Sequence, residues 1–150
     1  MSHGLLETWR GVVYPAELDH MGHMNVQYYT AKFDQGTWQL FNQVGLSNRF
    51  LRDNKRGMAA VDQHTRYLAE VMAGDVLVVK STILEIRDKV IRFRHQMYNL
   101  ENAAATEVAN SELIAVYMDL AVRKSCPFPA AIVQNCQAVI TAAQARDQRS

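Results

Sequence analysis

The chain has little of what would announce a special environment. Its 150 residues contain two cysteines, Cys126 and Cys136, with no C-x-x-C spacing. That excludes a disulfide scaffold and reads as two reduced thiols in a cytoplasmic protein. Seven glycines and three prolines form no linker or low-complexity tract. No apolar run approaches the roughly 18 residues that a membrane-spanning helix needs. The opening Met-Ser-His-Gly-Leu-Leu-Glu lacks the basic start and apolar core of a signal peptide. Neither sign of charge dominates, with 16 Lys+Arg against 15 Asp+Glu, so nothing favours nucleic acid or an anionic membrane as partner. No G-x-S-x-G elbow is present. What remains is a length that fits one domain, 1–150, able to bury roughly two thirds of its unfolded surface.

The informative stretch is Glu17-Leu18-Asp19-His20-Met21-Gly22-His23-Met24-Asn25 and the segment after it. Val26, Tyr29, Phe33, Thr37, Leu40 and Val44 recur at intervals of three and four, which predicts a helix over about Asn25 to Val44. Asn25 can act as its N-cap and Gly45 as its stop. The first-turn N–H groups of a helix have no intrahelical partner and carry partial positive charge. Asp19 would lie beside them, with Gly22 supplying the intervening turn. A carboxylate next to free amides suits chemistry at a carbonyl, where an oxygen gains negative charge. The same Asp19 could instead be an ordinary turn aspartate, so the reading requires its side chain to face a cleft in the folded dimer rather than be consumed by capping. His20 and His23 beside Asp19 raise a metal site, but zinc needs three or four convergent ligands, and His3, His64 and His95 are scattered. No metal is expected.

Elsewhere the pattern predicts strands. Trp9 to Tyr14 reads as a first strand ended by Pro15, and Ser47 to Arg56 as a charged connection with Gly57 as a turn. From Val61 to Leu68 the period is two. Ala73-Gly74-Asp75 turns the chain into a strand at Val76 to Ile86, and Arg87-Asp88-Lys89 joins it to one at Val90 to Leu100. In that strand Ile91, Phe93, His95 and Met97 face one way, and Arg92, Arg94, Gln96 and Tyr98 the other. Glu101-Asn102 is the next turn, and Glu107 to Val122 the last long strand. After Pro127 and Pro129, the spacing of Ile132, Cys136, Val139 and Ala143 predicts an amphipathic helix packing at an edge or interface. Its polar face has no basic cluster, which argues against a membrane role. The order is an α+β design, one long helix against an antiparallel sheet. A mostly apolar helix covered on one side favours association of two copies.

Val13-Tyr14, Asp19-x-x-Gly22-His23-Met24-Asn25, Tyr29, Phe33 and Gly45 together resemble the hotdog-fold acyl-CoA thioesterases of the 4-hydroxybenzoyl-CoA thioesterase type. Tyr67, the Gly74-Asp75 turn, Asp119, Arg123-Lys124 and Pro129 extend the resemblance over about Trp9 to Pro129. It implies a hotdog fold, in which a five-stranded sheet wraps the long helix and a further helix follows. It also implies homodimers, and homotetramers as dimers of dimers, with active sites shared between two chains. By position, the catalytic carboxylate falls on Asp19 and the oxyanion amide on Val26. Gly22 is the turn glycine, and His23 and Asn25 complete the motif. Arg123 and Lys124 fall where some members meet CoA phosphates. Thr65 and Tyr67 are candidates to approach the thioester from the partner chain. Where relatives carry Asp, this chain has Glu17, which two residues along a strand would put on the same side as Asp19 and which reads as solvated. CoA would be part of the substrate, and no cofactor is expected.

The reaction so implied is hydrolysis of an acyl-CoA, with Asp19 as nucleophile or as general base toward water. Cys126 and Cys136 read as packing residues rather than nucleophiles. Trp9, Tyr28, Tyr29, Trp38 and Phe41 read mostly as core. Those that reach the pocket would suit an aromatic acyl group or, through cation–π attraction, a quaternary ammonium. The segment also resembles the betainyl-CoA thioesterase branch. Two other readings stay open: a non-catalytic acyl- or CoA-binding protein on the same fold, and a hydratase or dehydratase using His23 with Glu17.

Overall fold

A computed structural model describes residues 5–101 and 104–149. Of the sequence expectations, His3 and the Asn102 half of the Glu101-Asn102 turn lie outside them. The elements are β1 (Leu6–Val12), a 3-10 turn (Pro15–Glu17), α1 (Val26–Gln43), α2 (Asn48–Asp53), β2 (Arg56–Tyr67), β3 (Val76–Ile86), β4 (Val90–Asn99), β5 (Thr106–Asp119), β6 (Lys124–Ser125) and α3 (Ala130–Arg149).

The sheet is antiparallel throughout, in the order β1-β3-β4-β5-β2, with the two-residue β6 on β5. It curls around α1, the hotdog arrangement. Burial along β4 alternates as its period predicts: Ile91, Phe93, His95 and Met97 are buried, and their neighbours are half exposed. The core forms two clusters along α1. One joins Met24, Tyr29 and Phe33 to Val79 and Met97. The other joins Leu40, Phe41 and Val44 to Phe93, Leu113, Ile132 and Cys136.

Both ends of α1 follow their sequence signals. Asn25 Oδ1 accepts from the Gln27 N–H at 3.1 Å. At the other end Gly45, at φ 102°, lets the Leu46 N–H reach Phe41 O at 2.8 Å, closing the helix in a Schellman turn.

The elements differ from expectation in four places. The first strand is Leu6–Val12, because Thr8 and Leu6 turn inward on β3 while Tyr14 leaves the sheet as the cap of the 3-10 turn. The connection after Ser47 contains a helix, since the Ser47 hydroxyl accepts from the Phe50 N–H and starts α2. Gly57 is a strand residue paired with Met118, not a turn. The last long strand stops at Asp119, where its carboxylate accepts from the Ala121 N–H and turns the chain. The C-terminal helix joins the main core through Ile132, Cys136 and Ile140.

Candidate active site

Residues 18–24 close a small hairpin. Leu18 and Met24 form a β-bridge, the Asp19 N–H donates to His23 O at 3.0 Å, and the Gly22 N–H donates to Asp19 O at 3.0 Å. Gly22 sits at φ 85°, the left-handed backbone that this tight return demands. The hairpin is anchored from both sides: the Met24 N–H donates to Val71 O, and the Asn25 N–H donates to Glu17 O.

Asp19 emerges from this hairpin at the start of α1. Its Oδ1 accepts from the Met21 N–H at 2.9 Å and its Oδ2 from the Asn25 side-chain amide at 3.0 Å. These bonds favour the ionised form, Met21 first and Asn25 second, and hold the carboxyl below its ordinary pKa. One bond per oxygen leaves further lone pairs, since a carboxylate can accept about four. Asn25 therefore bridges two functions: its amide N–H orients Asp19 while its Oδ1 caps α1. Val26, the first helical residue, has no intrahelical acceptor for its N–H. Its side chain is 55% exposed rather than on the core face.

Two hollows flank this helix end. A shallow groove is lined by His23, Val26, Tyr29, Tyr67 and Glu70, and it brings together three of the predicted site residues. Tyr67 stacks edge-on against Tyr29, their centroids 5.1 Å apart. The second hollow, about 430 Å³, begins at Gln27 and runs along α1 past Asp34 and Thr37 to Trp38 and Phe41, with Phe93 behind them. Asp19 lines neither hollow, and its Oδ1 bond to the Met21 N–H is a turn-capping contact, so the cleft it was expected to face is not formed within one protomer. Thr65 lies off both, its hydroxyl bonded to Ser111 Oγ at 2.9 Å. Arg123 and Lys124 are exposed at the opposite end of β5, about ten residue steps or roughly 33 Å from the level of Tyr67. Within one protomer they do not meet the Asp19 hairpin.

Three expectations are corrected here. Glu17 is not solvated: its carboxylate is paired with the ammonium of Lys32 and accepts from the Tyr14 N–H. Burial alone would raise its pKa, but Lys32 and the Tyr14 amide outweigh that and lower it. Nor do Glu17 and Asp19 share a strand face, because Glu17 ends the 3-10 turn. The His23–Glu17 pair that a dehydratase would use is not assembled, since His23 Nε2 meets Glu70 Oε2 at 3.1 Å.

Sequence reasoning missed one group, a polar chain inside the core. His95 is fully buried, and its pKa is pushed down to about 3 by that burial. The Thr37 hydroxyl donates to Phe33 O, so His95 Nε2 donates to Thr37 at 2.8 Å, and Nδ1 accepts from Ser81 Oγ at 2.5 Å. Ser81 in turn accepts from Thr8 Oγ1 at 2.7 Å. The signal available was a histidine on the apolar face of β4. Cys136, by contrast, behaves as read: it is buried, and its thiol is pushed up to about 12, which removes it as a nucleophile.

Among the described residues no helix is long and apolar enough to cross a membrane, and no three His, Cys, Asp or Glu side chains converge as metal ligands.

Comparison with known proteins bears on the family and the fold. The betainyl-CoA thioesterase of Pseudomonas aeruginosa is 24% identical over 141 residues, spanning 94% of this chain and 87% of that protein. An L-carnitine dehydrogenase/betainyl-CoA thioesterase of Agrobacterium fabrum is 28% identical over 117 residues, 78% of this chain but only 23% of that longer protein. Among solved structures, a Staphylococcus aureus protein in complex with CoA superposes with a TM-score of 0.85 at 20% identity, covering 92% of this chain and 85% of that one. A 1,4-dihydroxy-2-naphthoyl-CoA thioesterase from Synechocystis gives 0.74 at 20% identity, covering 91% and 96%. Residues 13–136 match the Thioesterase-like superfamily, and with a match over most of its length the chain belongs to that family of thioester hydrolases.

Proposed function

We propose that this protein hydrolyses an acyl-CoA to the free acid and CoA, using Asp19 and the Val26 N–H. One observation carries the reading: a single residue, Asn25, ties the carboxylate to the helix end, donating to Asp19 and capping α1 with the same side chain. The thioester carbonyl would sit between them. Its oxygen would take the Val26 N–H as charge develops, an interaction worth roughly 3 kcal/mol in the barrier. Asp19 would attack the carbonyl carbon, giving an anhydride that water opens, or draw the proton from an attacking water. Either route adds one water and releases the CoA thiol.

The acyl group we assign is cationic. The hollow beside Gln27 has aromatic walls at Phe33, Trp38, Phe41 and Phe93, and Asp34 is the one charged residue lining it. The Thr37 hydroxyl donates to Phe33 O and accepts from His95, so it offers the hollow an acceptor and no donor. Aromatic faces and an anion suit a quaternary ammonium, which agrees with the two relatives named for betainyl-CoA.

The working unit is a homodimer. β2 has only one neighbour, β5, and its outer edge is exposed. Antiparallel pairing of two β2 edges would bring the Arg123–Lys124 end of one chain toward the Tyr67 end of the other, completing each site with CoA-binding cations. Free Cys126 and Cys136 fit a cytoplasmic setting.

The test is a panel of aromatic, short, medium and cationic acyl-CoAs, assayed with a thiol reagent. Asp19→Asn should lower kcat about 100-fold or more. Unchanged turnover in that variant would remove Asp19 from the chemistry, and CoA binding without hydrolysis of any member would favour a non-catalytic binding protein.

A further inference from the structure

Lys32 and Glu17 form an ion pair in a place where an ion pair is costly. Their side chains are only 6% and 17% exposed. Lys32 lies on the inward face of α1 with Tyr29, Phe33 and Gly36. Its ammonium sits 5.1 Å from the ring centroid of Trp9, on β1, and 5.8 Å from that of Tyr28. Exchanging such a buried pair for apolar residues of equal volume is commonly neutral or stabilising, because desolvation offsets the attraction. Stability therefore does not account for it.

Its place in the chain does. Glu17 ends the 3-10 turn two residues before Asp19, and its carbonyl accepts from the Asn25 N–H. Its carboxylate also accepts from the Tyr14 N–H, so its rotamer is held from behind. Lys32 is in the second turn of the helix whose first residue is Val26. The pair thus joins the segment that delivers Asp19 to the helix that delivers the amide, and the Trp9 and Tyr28 rings fix the ammonium laterally. Asn25 makes the same connection at the N-cap of α1, through its side chain to Asp19, and Lys32–Glu17 makes it in the second turn of the helix. Two ties at different heights set both the distance and the angle between carboxylate and amide, whereas one tie would leave a pivot.

We propose that Lys32 is a positioning residue. Through Glu17 it sets the spacing of the Asp19 carboxylate from the Val26 N–H without touching the substrate. This rests on the reading that those two groups act on the thioester.

The test compares Lys32→Met with Glu17→Gln, singly and together, and Lys32→Arg, on the best substrate of the panel. Either single change strands a buried partner and lowers Tm. The double variant removes both charges and should recover most of the Tm that either single change loses. Its kcat should nevertheless fall roughly 10- to 100-fold, the effect of a small misplacement of reacting groups, with KM within about 2-fold of wild type. Lys32→Arg, which restores the charge and a donor, should recover most of the loss. A double variant with wild-type kcat would overturn the inference. So would a loss that disappears on assay far below Tm, which reports folding alone. Asp19→Asn is run alongside: if it remains active, the catalytic reading itself fails, whereas an inactive Asp19→Asn beside a fully active double variant overturns only the role of Lys32.

Discussion

Asp34 shows how much one side chain can decide. It lies on the same stripe of α1 as Thr30 and Trp38, facing the hollow, and no lysine, arginine or histidine lines that hollow with it. A carboxylate facing aromatic walls attracts a cation and repels an anionic acyl group. Betainyl-CoA and its uncharged isostere, 3,3-dimethylbutanoyl-CoA, differ by one nitrogen in place of carbon, so their ratio reports charge recognition alone. Asp34→Asn is expected to reduce kcat/KM for the cationic ester by about 10-fold, the scale of a partly desolvated cation contact. It should leave the neutral ester within about 2-fold. Equal losses on both would assign Asp34 to packing. Asp34 was not legible as a site residue, because a single carboxylate off the apolar stripe of a helix is ordinarily solvated. Asp19 was, because a carboxylate, a glycine turn and an N-cap in one short run have few other uses.

At the level of elements, the contact between α1 and β4 contains a titratable group that the catalytic scheme leaves aside. Helix α1 approaches β1 closely there because position 36 is glycine: a Cβ on it would come within 3.0 Å of Thr8 Oγ1, and 3.5 Å from the His95 ring that reaches in from β4. The Thr8–Ser81–His95–Thr37 chain fills the gap and requires a neutral imidazole. In the folded protein His95 is held down to about 3 by burial, against an ordinary 6.5. The unfolded chain therefore takes up this proton first as pH falls. The stability from keeping His95 neutral is complete above about 6.5 and is lost progressively down to about 3. Between pH 6.5 and 5, where most carboxylates are still ionised, urea unfolding should show a loss on the order of 2 kcal/mol. His95→Gln, which cannot titrate, should flatten that slope while lowering stability at pH 7. An unchanged slope in the variant would trace the acid sensitivity to other groups.

For the whole molecule the open question is the β2 edge. Val61 is 60% exposed, and Tyr67 and Leu68 are about half exposed on the same strand and its end. An edge strand of this length, with Val61 and Tyr67 exposed beside Asp62 and Arg66, offers a row of unpaired backbone groups as a template for pairing. Val61→Lys is expected to convert a dimer to a monomer in light scattering after size-exclusion chromatography. It should cut specific activity at least 10-fold with the core fold intact by circular dichroism, since half of each site would leave with the partner. Full activity in a monomeric variant would place the complete site within one chain. The sequence by itself determined the order of the long strands and the two long helices and the caps of α1, because hydrophobic period and capping chemistry are local; the six-residue α2 was too short to show a period. It also marked the Asp19 hairpin, since glycine, asparagine and aspartate act on neighbours a few residues away. Only the tertiary structure decided that Glu17 pairs with Lys32, that Asp34 faces an aromatic hollow, and that His95 belongs to a sealed polar chain. Those contacts join residues far apart along the chain or on separate elements, and curling the sheet around α1 is what brings them within reach.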